Sequence, residues 1–387
     1  MIYLTILVYI LILVYIYDIK RSSKGFVTHY RLLLAVFILV AGLSYRLGID
    51  LIRGEESFSY AKGGVISLRS YMDIYEWQNG TEPLWLFTRG IIRFFTSEFF
   101  VWHLIVAAVF NITVFWFLRK YSPAFFTSVF LYAIFSYCHF NFEVLRESMS
   151  LVFILIGLSY LFRDKPRYIT YFLLIIPAVL FHRFAYIAIL LPLVKFVKNN
   201  GFYISLVVVV ASISVTLISQ NLILYINLLL GEDASTALDF YMQGDAADLN
   251  YKGYIFIFIA TIIPFYWIIT ACSKKNAVFL SWGLVYLLFL ILSNTSIYLF
   301  SRVLDFLFFP TLVAMSDAIK NSIYHLRIKN KDFRSKRFMM FVLFIYLSVH
   351  IYNTTHSEFF RMYYPYSSIF DKSIDTQRER FYDYHLN

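Results

Sequence analysis

Arginine, histidine and carboxylate side chains interrupt the apolar runs of this sequence at four places. SYRLGID carries Arg46 and Asp50, and CHFNFEVLRESMS carries His139, Glu143, Arg146 and Glu147. VLFHRFAYI carries His182 and Arg183, and YLFSRVLDF carries Arg302 and Asp305. Arginine forks match the oxygens of a phosphate or pyrophosphate and stabilise charge that develops on it as it leaves. A carboxylate beside them can take the proton of an attacking hydroxyl; in the stretch 46–98 the candidates are Asp50 and Glu82. Each residue also has a plain reading as a snorkelling side chain or local ion pair. Arg302 and Asp305, three apart on one helix, can satisfy each other. His139 and Glu143, four apart, lack a third ligand, so a surface pair outweighs a metal site. The cluster of cations is harder to dismiss than its members, and we expect no dedicated metal site.

The elements that must hold these residues are hydrophobic helices. Of 387 residues 60% are hydrophobic and 15% charged, and mean hydropathy is +0.67, whereas a soluble domain is about 25% charged. Apolar runs able to cross about 30 Å of hydrocarbon recur throughout. About twelve spans are predicted, near 2–17, 31–45, 99–118, 124–141, 145–162, 168–182, 184–197, 202–220, 253–271, 277–293, 297–316 and 338–352. The fold class is therefore all-α, a polytopic membrane protein forming one transmembrane domain, 1–387. Outside the spans lie a long loop at 46–98, another at 221–252 and a tail at 353–387. In the first of these, EPLWLFTRGIIRFF (82–95) is mostly apolar, with Arg89 and Arg93 four residues apart. That pattern predicts a helix in the membrane interface with two cations on one side, an anchor or a guide for a lipid-phosphate headgroup.

Charge placement orients the bundle. Alternate loops hold 20 of the 34 Lys and Arg but only four acids, Asp18, Asp164, Asp317 and Asp332. This separation is the positive-inside signature. It puts the basic loops in the cytoplasm, and the long loops, the tail and both termini outside. The basic run IKNKDFRSKRF (328–338) is then an anchor on the inner face and needs no nucleic acid. The polar clusters fall at outer helix ends, which makes a cationic cup facing outward. Cys138 and Cys272 are isolated, predicted near opposite faces, and too few for a metal cluster. The N-terminal apolar run lacks a preceding basic region and a small-residue cleavage site, so it reads as a retained first helix.

The ordered set RLGID, TEPLW, FEVLRESMS, LFHRFAYI and a late SR resembles the EpsG family of bacterial exopolysaccharide biosynthesis, similar in role to Wzy-type polymerases. The resemblance spans about 40–310, and YYPYS (363–367) looks like the family's C-terminal pattern. Arg46, Gly48 and Asp50 match its R-x-G-x-D; Glu82 and Pro83 match its E-P, with Trp85 two residues on. Arg146 matches an arginine usually followed by Gln, where this chain has Glu147, with Ser150 at the family's small position. His182 matches its F-H and Arg302 its late arginine. The resemblance implies a substrate: oligosaccharide repeat units on undecaprenyl pyrophosphate, joined at the outer leaflet of the cytoplasmic membrane. Arg146, His182 and Arg302 would stabilise the departing pyrophosphate and Asp50 would serve the acceptor hydroxyl. Arg46, Glu82, Trp85, Arg89, Arg93, Glu143, Glu147, Arg183 and Asp305 would line the substrate. No cofactor is implied, with room for a divalent ion on the substrate's pyrophosphate. Partners would be the lipid-linked oligosaccharide, membrane lipids and polysaccharide-assembly proteins. The rival classes are a flippase for the same lipid, which would place its charges near the midplane of repeated halves, and a non-catalytic assembly partner.

Overall fold

The computed structural model describes residues 2–60, 82–218, 256–273, 276–294, 297–327 and 333–386. Among these the chain is helical, and its extended pairing is one isolated antiparallel bridge between Ser44 and Ser368. The predicted loop 221–252 lies outside the described residues. The chain divides into two compact units, one formed by residues 1–121, 125–189 and 353–387, the other by 122–124 and 190–352.

The first unit starts with α1 (Ile2–Leu13), continued by a π turn (Val14–Ile19), then α2 (Phe26–Gly42), α3 (Ile49–Tyr60), α4 (Pro83–Phe95) and α5 (Phe99–Tyr121). Next come α6 (Phe125–Phe135), a π turn (His139–Glu143), α7 (Leu145–Leu161) and α8 (Tyr168–Phe181). Among the described residues the loop predicted at 46–98 contains the helices α3 and α4, and α4 covers most of the stretch 82–95 where a helix was expected. Ile2–Ile19 and Phe99–Tyr121 are long and apolar enough to cross a membrane, and several shorter helices are equally apolar. Helices α2 and α5 approach so closely that a Cβ on Gly42 would lie 2.6 Å from Leu104 Cα. Phe37, Phe115, Tyr132 and Tyr137 fill this contact, with the Phe37 and Tyr137 rings crossed edge to face at 4.7 Å.

A polar network lies inside this aromatic core. Asn111 Nδ2 donates to Asn141 Oδ1 at 2.7 Å, Asn141 Nδ2 to the Tyr132 hydroxyl at 2.9 Å, and that hydroxyl to Asn111 Oδ1 at 3.1 Å. The triangle closes on itself. Buried amides are tolerated only when paired, and a satisfied network fixes the register of the helices that carry it.

The span predicted at 184–197 is a 3₁₀ helix, Arg183–Phe196. Ala185, Ala188, Leu191 and Val194 are its buried residues, one in every three, as three residues per turn demands. Its small residues let the backbone come close: the Tyr171 hydroxyl of α8 donates to the Ala188 carbonyl at 2.5 Å. At about 2.0 Å rise per residue, this short helix is about 28 Å long.

The second unit contains α9 (Gly201–Ile218), a π turn (Phe258–Ile262) leading into α10 (Ile263–Thr270), α11 (Ala277–Leu292), α12 (Ile297–Arg327) and most of α13 (Phe333–His356). Helix α12 runs eleven residues beyond the span predicted to end at 316. Its acidic Asp317 organises the turn after α10. The carboxylate accepts from the Ser273 amide at 2.6 Å, Asn276 Nδ2 at 2.8 Å and the Cys272 thiol at 3.1 Å.

Many helices turn apolar side chains outward. On α8, Ile169 is 80% exposed while Tyr171, Ile175 and Ala178 are buried. On α4, Phe87, Ile91, Phe94 and Phe95 face out, whereas Arg89 is buried beside Trp85 and Leu86 on the inner face. Such a helix is at odds with water and suited to lipid.

Candidate functional site

Glu82 is the hub of a polar cluster in the first unit. It is the N-cap residue of α4, with Pro83 at the first helical position, where a missing amide hydrogen costs nothing. Its carboxylate does not cap α4 with its side chain; it reaches α7 and the end of α8. Arg146 Nη1 donates to Glu82 Oε2 at 2.9 Å, and the Arg183 amide donates to Oε1 at 3.2 Å. His182 Nδ1 lies 3.3 Å from Oε1, and its Nε2 lies 3.8 Å from Glu147 Oε2. The imidazole therefore stands between two carboxylates from different helices. Glu147 and Ser150 are buried one turn apart on α7, beneath Arg146.

Exposure divides this cluster by role. The Glu82 side chain is 5% exposed and that of Arg146 is 41% exposed. The carboxylate is thus an internal anchor, and the guanidinium it tethers by one nitrogen presents the rest outward. Burial alone would raise the Glu82 pKa, but His182, Arg146 and the Arg183 amide together hold it at about 2. A carboxylate that reluctant to bind a proton is a poor general base. That low affinity favours Asp50 over Glu82 for the acceptor proton, and the geometry of Glu82 suits holding cations.

The second constellation surrounds RLGID. Arg46 and Gly48 both adopt left-handed backbone, with φ of 49° and 91°. A Cβ on Gly48 would meet the Phe142 carbonyl oxygen at 2.6 Å, so only glycine fits. The Gly48 amide donates to the Tyr382 hydroxyl at 2.8 Å and the Ile49 amide to Glu143 Oε1 at 3.2 Å. These bonds fix the start of α3, and Asp50 sits in its first turn, half-buried, where an acid also complements the helix dipole. Burial and the neighbouring Asp50 push the Glu143 carboxyl up to about 8, against the opposing pull of His139 and the Ile49 and Asp50 amides. Glu143 therefore holds its proton more tightly than an ordinary carboxyl. Arg46, expected at the substrate, is forked onto Glu379, with Nε to Oε1 at 3.1 Å and Nη2 to Oε2 at 2.6 Å.

The other expected residues are distributed as follows. Trp85 is buried edge to face against Trp102, with ring centroids 4.5 Å apart. Arg89 is buried on the inner face of α4, and burial lowers its pKa. Arg93 lies 5.5 Å over the Phe58 ring. Neither arginine is on the outward apolar face of α4. Arg183 points its side chain outward, while its amide serves Glu82. Arg302 and Asp305 belong to the second unit, in the second and third turns of α12, half-buried and buried respectively. Among the described residues, no three His, Cys, Asp or Glu side chains converge as metal ligands.

Local sequence reading missed the tail. Residues 357–386 fold back as a 3₁₀ turn (Glu358–Met362) and a helix, α14 (Thr376–Leu386), joined by a segment bonded to the end of α2. The Tyr45 amide donates to the Ser367 carbonyl at 2.9 Å, and the Ile369 amide to the Leu43 carbonyl at 3.0 Å. Ile52, Met362, Phe381 and Tyr382 close the core beneath. The available signal was the aromatic density of YYPYS and FYDY in a stretch read as a tail.

Comparison with known families matches residues 27–368 to the EpsG family. No curated protein and no solved structure matches the chain.

Proposed function

The chain belongs to the EpsG family and is an exopolysaccharide-related membrane protein; on that premise we propose that it is a polysaccharide polymerase of the cytoplasmic membrane. It joins oligosaccharide repeat units carried on undecaprenyl pyrophosphate at the outer leaflet. The acceptor sugar hydroxyl attacks the anomeric carbon of the donor. The bond from that carbon to the pyrophosphate oxygen breaks, and the oxygen keeps the electron pair. The hydroxyl proton passes to Asp50, and undecaprenyl pyrophosphate departs. Arg146 and His182 stabilise its charge. The leaving group is already anionic and good, so electrostatic stabilisation is the main contribution asked of the protein. No resident metal is assigned; a divalent ion would enter on the substrate's pyrophosphate.

The observation that carries this reading is the anchored pair of Glu82 and Arg146. A buried carboxylate collects a guanidinium, an imidazole and an amide from separate elements, leaving the guanidinium outward for an anion. The outward apolar side chains and the positive-inside charge bias support a multi-span bundle whose long loops and tail face out. Flipping the same lipid-linked unit is the rival activity, and the half-exposed position of Arg146 favours polymerisation over it.

Loss of function in the native host decides between them. Polymerisation predicts single lipid-linked repeat units accumulating on the outer face, whereas units trapped inside would indicate a flippase. Arg146→Ala and Asp50→Asn variants should make little or no polymer; full-length product from them would overturn the site. A tag inserted between residues 328 and 332 and reached from outside the cell would overturn the orientation.

A further inference from the structure

We propose that Glu379 and Tyr382 of α14 are positioning residues for Asp50, acting through the Arg46–Gly48 turn. This rests on the assignment of Asp50 to the acceptor hydroxyl. The family match ends at residue 368, so both residues lie beyond it.

The turn needs support from outside. Two of its three residues, Arg46 and Gly48, have positive φ, a conformation that is strained for an arginine. Strained backbone of this kind persists where its surroundings over-determine it. Here one hydroxyl closes the turn from both ends: Tyr382 accepts from the Gly48 amide at 2.8 Å and donates to the Arg46 carbonyl at 3.1 Å. Three residues earlier on the same face of α14, Glu379 takes the Arg46 guanidinium in a two-bond fork. Such forks fix direction as well as position. Beyond the turn, the Ile49 amide goes to Glu143, and the next residue is Asp50. The first turn of α3 thus has its register set by partners remote in sequence.

The same contact admits an opposite consequence. If the Glu379 carboxylate plugged a cation meant for the substrate, removing it would raise activity. The geometry points to support instead, because Tyr382 grips the backbone of the turn independently of the Arg46 charge.

The test uses full-length protein carrying Tyr382→Phe, Glu379→Gln, or the exchange Arg46→Glu with Glu379→Arg. Polymer synthesis from lipid-linked repeat units is measured in membranes, and tail docking by trypsin cleavage in detergent. Arg378 is buried, with Nη1 on the Pro365 carbonyl at 2.8 Å, so it is cut when the tail lifts. We expect the single variants to speed cleavage and lower kcat by about ten- to a hundredfold, with KM little changed, and the exchange to recover both. Faster cleavage with a wild-type or raised rate would overturn the proposal, as would single variants cleaved no faster than wild type. A wild-type rate from Asp50→Asn would instead sink the role of Asp50, and the trypsin result would still report on docking alone.

Discussion

Arg146 meets Glu82 at 2.9 Å across 64 residues of sequence, and the contact joins the first turn of α7 to the residue that opens α4. The carboxylate is inside and the guanidinium half outside, so the bond sets where the cation points. Glu82→Gln keeps the shape and removes the charge. Polymer synthesis should fall at least about tenfold, with most of the loss in kcat. Glu82→Ala leaves the guanidinium without its anchor, but because that guanidinium is partly exposed the cost should fall below the roughly 3–5 kcal/mol of a fully buried pair. Thermal unfolding in detergent should show Glu82→Ala well below Glu82→Gln.

Acid should loosen the same cluster. The folded protein holds Glu82 at about 2, below its ordinary value of 4.5, so the unfolded chain binds the proton more readily. The stabilisation is complete above about pH 4.5 and fades as pH falls through about 2. A melting temperature measured over that window should drop less for Glu82→Gln than for wild type.

Glu143 has the opposite sign. Its folded value of about 8 lies above the ordinary 4.5, so the folded state retains the proton and loses stability as pH rises between those values. Glu143→Gln mimics the neutral acid and keeps an oxygen for the Ile49 amide. It should unfold at the wild-type temperature near pH 5 and at a higher one above pH 8. A variant less stable than wild type at pH 8 would show that the ionised form is the one the fold needs.

Gly48→Ala should be costly despite its size. The added Cβ meets the Phe142 carbonyl oxygen at 2.6 Å, in a backbone region unfriendly to L side chains. A loss of about 1–3 kcal/mol is expected, read as lower yield of folded protein and faster trypsin cleavage in the tail.

Much of this was legible in the sequence because it is local. Apolar runs gave the helices, and EPLW marked the start of α4. What stayed hidden depends on residues far apart. Arg46 looked like a substrate ligand because its partner Glu379 lies 333 residues away, and no periodicity links them. Glu82 looked like a base because proximity to Arg146 and His182 decides its proton affinity, and proximity is absent from a string. The 3₁₀ segment was read by hydropathy length alone, although Ala185, Ala188, Leu191 and Val194 carried its period of three in plain view.

That 3₁₀ helix makes the chain unusually sensitive to arithmetic. One inserted residue in Arg183–Phe196 turns everything beyond it by about 120°, a third of a revolution, and sends the buried stripe to the outside. Three inserted residues complete a revolution and restore the phase at the expense of about 6 Å of length. Insertions here should therefore be graded by their remainder on division by three, a rule that no neighbouring α-helix would obey.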